Sequence, residues 1–171
     1  MIDRYRQFAT TGLGRTIVKQ LGLPAPVELR RRREGKPEIT GPVLVGGADG
    51  GRLGKQVSQL LADAGAELHT GLTEETRYGV LVYDATGIKQ SSELTSVYDF
   101  FHPVFRSLLP SGRVIVLGTP PEDGDDPRES AAQRGLEGFV KSAGKEAGRG
   151  ATANLVYVSP GAEEAIDSTL R

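Results

Sequence analysis

The sequence predicts an α/β protein: a three-layer, doubly wound domain around a mainly parallel five-stranded sheet. Two observations carry this. From residue 42 onward short apolar runs alternate with amphipathic stretches, the order expected of strands joined by crossover helices. Runs such as VLVY (80–83) and VIVL (114–117) are apolar at every position, which suits parallel strands covered on both faces. In order, PVLVG (42–46) reads as the first strand, 52–65 as a helix, AELHT (66–70) as the second strand and YGVLVYDATG (78–87) as the third. Segment 92–112 reads as a helix, RVIVLG (113–118) as the fourth strand, 127–148 as a helix and ATANLVYVSPG (151–161) as the fifth strand. Asp126 followed by Pro127 suits the cap and first turn of the 127–148 helix, and Gly148 or Gly150 suits its end.

Residues 1–41 have a different character. Tyr5, Phe8, Leu13, Ile17, Val18 and Leu21 recur at three- and four-residue intervals, predicting one helix with an apolar stripe, although Gly12 and Gly14 weaken it. Residues 21–42 contain four prolines and the run Arg30 to Arg33, the composition of an extended connector. The expected organisation is therefore a helix and connector over 1–41, then the α/β domain over 42–171.

Composition narrows the chemistry. A chain of 171 residues suits a single core. With 37% hydrophobic residues, and 21 basic against 22 acidic, bulk charge favours neither nucleic acid nor a membrane. Zero cysteines exclude disulfides, thiolate catalysis and cysteine metal sites, and two histidines far apart in sequence argue against a histidine metal site. The charged amino terminus and the lack of a long apolar run predict a cytoplasmic protein.

Five landmarks, in order, resemble those of short-chain dehydrogenases and reductases. GGADGGRLG (46–54) resembles the glycine-rich turn after the first strand, and DATGI (84–88) the Asn-Ala-Gly turn after the fourth. RVIVLGT (113–119) resembles the strand ending at the catalytic serine, GLEGFVKSAGKE (135–146) the active-site helix, and VSPG (158–161) the Pro-Gly turn after the sixth strand. More narrowly, VKQLGLPAPVELRR (18–31) and VYDFFHPVFRSLLPSGRVIVLGTPP (97–121) resemble the amino-terminal region of high-molecular-weight 3-oxoacyl-[acyl-carrier-protein] reductases. The resemblance implies a flavodoxin-like domain without catalytic activity, followed in the parent by a complete NADH-dependent ketoreductase domain beyond Arg171. It also implies a homodimer in the parent and an acyl carrier protein or acyl-coenzyme A substrate. Only about eight residues separate AELHT from YGVLVYD, too few for the helix, strand and helix that the family places there. Removing that unit from the family's strand order leaves 2-1-3-4-5, the flavodoxin order.

The same alignment shows what is missing. Thr119 stands at the position of the family's serine, Glu129 at its tyrosine and Gln133 at its lysine. An ionised carboxylate cannot donate the proton that the tyrosine supplies, and positioned acid catalysis is worth roughly 10² to 10⁴ in rate. The glycine-rich turn, with Gly46, Gly47, Gly51 and Gly54, carries an extra residue, with Arg52 intruding and Asp49 adding negative charge where a phosphate would sit. The acid expected to grip a ribose falls at about Leu72. A flavodoxin-type phosphate loop uses hydroxyls, and GGADGG has none. No catalytic residue, no bound cofactor and no metal are therefore expected of this chain. A stand-alone nucleotide- or flavin-binding module using residues 46–54 is the alternative; an active reductase is a third reading.

Other features have plainer expectations. The arginine run suits a solvated or interdomain surface, and the acidic segment 120–130 a solvated turn at the carboxyl ends of the strands. Tyr98, Asp99 and His102 share a helix face, and FFHPVF (100–105) suits core or a domain contact. The final AEEAIDSTLR reads as a helix beginning where the sequence ends, the expected mark of a fragment that lacks its last strand.

Overall fold

A computed structural model describes residues 4–23, 27, 29–30, 39–73, 75–124 and 126–170. Its contacts divide the chain into two compact units, Met1–Arg30 and Arg31–Arg171. In the first unit the single expected helix is two, α1 (Arg4–Thr10) and α2 (Gly12–Gln20). Thr11 makes the break. Its backbone is extended, and its hydroxyl donates to Phe8 O and accepts from the Gly14 amide, so it closes one helix and caps the next. Gly14 allows this, because a Cβ there would lie 1.8 Å from Phe8 O. Of the expected stripe Val18 is buried, whereas Leu13 and Leu21 are exposed. Of the Arg30 to Arg33 run only Arg30, exposed, falls among the described residues.

The second unit is the expected α/β domain. Five parallel strands, β1 (Val43–Gly47), β2 (Leu68–His69), β3 (Tyr78–Asp84), β4 (Leu108–Gly118) and β5 (Thr152–Tyr157), lie in the order β2-β1-β3-β4-β5. Helices cover both faces, as the fully apolar runs require. On one face Val43, Val45, Val80, Val82, Ile115 and Leu117 pack with Val57 and Leu61 of α3 (Gly54–Asp63). On the other, Leu44, Leu81, Tyr83, Val114 and Val116 pack with α4 (Thr95–Val104) and α5 (Pro127–Glu146). This alternation along each strand follows from the two-residue period of the pleat.

Three segments differ from their expected state. The second strand shrinks to Leu68–His69, paired with Val43 and Leu44 at the start of β1. Because β2 is so short, the link to β3 has only to pass two strand spacings, about 10 Å, which eight residues span without a helix. The expected 92–112 helix is a 3₁₀ turn (Ser91–Leu94), α4, and a second 3₁₀ turn (Phe105–Ser107). Pro103 lies in the last turn of α4, and its lack of an N–H suits a helix about to end. Residues 108–112 then belong to β4, which is irregular there. Tyr78 pairs with Leu108 while Val80 pairs with Arg113, and Ser111 takes a left-handed backbone (φ 57°) as its amide donates to Arg149 O.

The helix that carries most of the resemblance forms as expected. Asp126 caps it by accepting from the amides of Arg128 and Glu129, and Pro127 fills the first position. Those two amides hold the Asp126 carboxyl below its ordinary range, that of Glu129 contributing most. Gly148, Arg149 and Gly150 all have positive φ and turn the chain toward β5. The chain ends in a 3₁₀ turn (Glu163–Ile166) and α6 (Asp167–Leu170), whose Ile166 and Leu170 are buried in the α3-side core. Phe100 and Phe101 pack on Tyr83, and Phe101 on Phe139, so the aromatic pair belongs to the core. His102 stacks on Tyr98 at 4.7 Å on the exposed side of α4. Among the described residues no helix is long and apolar enough to cross a membrane.

Candidate functional site

In a doubly wound sheet of this order the crevice lies beyond the carboxyl ends of β1 and β3, where the chain turns to opposite sides. The β1–α3 turn reaches that crevice and finds it filled. Asp84, the last residue of β3, is 3% exposed and turns its carboxylate into the glycine-rich loop. Its Oδ2 accepts the Leu53 amide at 2.7 Å, and its Oδ1 accepts the Thr86 hydroxyl at 2.6 Å and amide at 3.1 Å. The Thr86 hydroxyl in turn accepts the Arg52 amide at 3.0 Å. An anion at a helix amino terminus is favoured by unsatisfied amides and the helix dipole; here the protein's own side chain supplies it.

The glycines of the loop serve this internal contact. A Cβ on Gly51 would lie 2.7 Å from Asp84 Oδ2, and one on Gly87 would lie 2.1 Å from Asp49 O and 2.6 Å from the Gly51 nitrogen. The turns after β1 and β3 thus touch backbone to backbone. Gly46 lies under the Phe100 ring, Gly47 ends β1 beside Asp84, and Gly54 opens α3. Arg52 points away from the turn: its guanidinium reaches Glu163 and the carbonyls of Val158 and Ser159, joining the loop to the exit of β5. The Glu163 carboxyl is held below its ordinary range first by its own and the Gly161 amides, with Arg52 adding to them. Leu72, at the expected ribose position, is exposed in the link between β2 and β3.

Beside the crevice the structure brings Thr119, Glu129 and Gln133 together. Capping by Asp126 puts Glu129 in the first turn of α5 and Gln133 one turn later, on the face against the sheet. Glu129 is 2% exposed and accepts the Lys89 ammonium at 2.7 Å. Gln133 is fully buried. Its amide nitrogen donates to Ala85 O and Ile88 O, both at 2.9 Å, and its carbonyl accepts the Thr119 amide, also at 2.9 Å. One side chain therefore ties α5 to the turn after β3 and to the end of β4. The Tyr157 hydroxyl adds a bond to Gln133 O, and burial, with Glu137 second, pushes its pKa up. Asp84, Thr86 and Lys89 were not singled out as site residues in the sequence, although the Asp-x-Thr spacing of a strand end is a signal for such a self-capping turn.

Chemically, these groups pair with one another and with backbone. The carboxylate at the tyrosine position faces an ammonium, and the amide at the lysine position has both N–H groups and its carbonyl oxygen engaged by backbone. The acidic segment begins as a 3₁₀ turn (Pro121–Asp123) with Glu122 and Asp123 exposed. Among the described residues no group of three or more His, Asp or Glu side chains could hold a metal. No protein-family model matches the chain, and no curated protein matches it significantly.

Proposed function

We propose that the chain is a non-catalytic α/β domain, a short-chain dehydrogenase relative that has lost its chemistry, from a two-domain NADH-dependent 3-oxoacyl thioester reductase. The observation that carries this reading is the use made of Gln133. A helix that in a reductase would present a lysine to tyrosine and ribose instead presents an amide spent on Thr119, Ala85 and Ile88. Asp84 supports it from the other side of the crevice, because a dinucleotide diphosphate at the β1–α3 turn would have to displace a buried carboxylate and repel it. In this reading the domain contributes packing and contacts to a carboxy-terminal ketoreductase domain in a homodimeric parent, and the acyl carrier protein or acyl-coenzyme A substrate is handled there.

The test is direct. The purified chain is titrated with NADH, NADPH and FMN and assayed with acetoacetyl-coenzyme A. The expected outcome is no saturation at micromolar cofactor and no turnover. Saturable micromolar binding would overturn the proposal in favour of a nucleotide or flavin module. Turnover abolished by Thr119→Ala or Glu129→Gln would identify a reductase in its own right.

A further inference from the structure

A groove of about 440 Å³ opens at the amino-terminal ends of β3 and β4, at the opposite end of the sheet from the crevice. One wall is the link between β2 and β3, carrying Leu72, Thr73, Thr76 and Arg77; the other is the end of α4 and the turn after it, carrying Pro103, Val104 and Arg106. The walls are tied to the core. The Thr73 amide donates to the Tyr78 hydroxyl at 3.2 Å, and the buried Tyr78 ring meets His69 edge-on at 5.6 Å, while His69 Nε2 lies 3.0 Å from Glu67 Oε1. Across the groove the Ser107 hydroxyl donates to Val104 O at 2.8 Å.

Among the described lining residues two guanidinium groups accompany one carboxylate. Arg77 and Arg106 stand on opposite walls, both exposed, and neither forms an ion pair with a described residue. Glu75 is the carboxylate among the described lining residues. Guanidinium groups bind carboxylate and phosphate oxygens in pairs, and an apolar cleft holding a few convergent polar groups is the usual form of a small-molecule site. We propose that this groove binds an amphipathic organic anion, its oxyanion head held by Arg77 and Arg106 and its apolar body lying on Leu72 and Pro103. The site is separate from the crevice, so it stands whether or not the crevice binds a nucleotide.

The experiment is a ¹H–¹⁵N correlation titration of the full chain with octyl phosphate, octanoate, inorganic phosphate and octanol. The expected result is saturable movement of the Thr73, Thr76, Arg77 and Ser107 amides with one or both octyl anions, and at least tenfold weaker binding of inorganic phosphate and of octanol. The better of the two octyl anions tells which head group the arginines prefer. Arg77→Gln with Arg106→Gln, both at exposed positions that leave the fold intact, should weaken that binding at least tenfold. Undiminished binding by the double variant, octanol as tight as the anions, or shifts confined to other parts of the chain would each overturn the proposal. So would inorganic phosphate binding as tightly as octyl phosphate, since the apolar walls would then contribute nothing.

Discussion

Gln133→Met isolates the contribution of one buried amide. Methionine nearly conserves the volume, so packing changes little while three hydrogen bonds vanish. The native side chain accepts from the Thr119 amide and donates to Ala85 O and Ile88 O, each at 2.9 Å, from a position with no exposed surface. A buried group left unpaired costs about 1–3 kcal/mol. Taking about 2 kcal/mol for the orphaned amide and about 1 for each carbonyl, which has a second lone pair and some room to relax, gives roughly 4 kcal/mol. Against a total stability of about 5–15 kcal/mol that is a large fraction, and for a chain of this size it corresponds to a fall of about 8–16 °C in Tm. Urea denaturation followed by far-ultraviolet circular dichroism measures it, with an unchanged slope showing that the unfolding transition is the same one. Gln59→Met is the control, because Gln59 bonds only the neighbouring Asp63 at the surface and should cost under about 0.5 kcal/mol. A loss below about 1 kcal/mol for Gln133→Met would refute the reasoning, since backbone groups joined by this side chain would then be satisfied without it.

Asp84→Ala should destabilise the chain by about 2–4 kcal/mol through the stranded Leu53 and Thr86 donors, read from the same denaturation curves. Gly87→Ala should cost at least about 1–3 kcal/mol, because the new methyl meets the backbone of Asp49 and Gly51, whereas Gly138→Ala, in open space within α5, should stabilise by about 0.5–1 kcal/mol. The Asp126 carboxyl titrates below its ordinary 3.8, so its cap contributes in full above that value and is lost as pH falls through the lowered one. Thermal melts of the wild type and Asp126→Asn should therefore differ near pH 5 and converge in stronger acid. Installing Glu129→Tyr with Gln133→Lys should yield no turnover of acetoacetyl-coenzyme A with NADH, because Asp84 still fills the turn that a diphosphate needs; measurable turnover would show that the crevice opens.

The fold was legible because its signals are strong and local. Every core strand except β2 is announced by consecutive apolar residues, and the Asp126-Pro127 cap fixes the start of α5. The shortness of the segment between residues 70 and 78 implies the strand order, because it leaves no room for a further helix-strand-helix unit. What misled were places where one contact outweighs a pattern. The periodicity of residues 5–21 is continuous, yet a single Thr11 hydroxyl splits it into two helices. Residues 108–112 continue an amphipathic pattern but are drawn into β4, with Ser111 bonded to a residue beyond α5. At the site the identities of Thr119, Glu129 and Gln133 could be read from spacing, and so could the absence of a proton donor. The partners could not, because Lys89, Ile88 and Ala85 meet Glu129 and Gln133 across 40 to 48 residues of sequence, a distance no local pattern encodes.

The two margins of the sheet are unequal. β2 offers a neighbour only Leu68 and His69, whereas β5 at the other margin runs TANLVY, six residues with no charge, no proline and no bulge in its pairing to β4. Such a margin is a template for another extended chain, and natural sheets usually blunt it. Strand addition to this sheet would find its longer template at β5, and a lysine placed outward there is the direct way to discourage it.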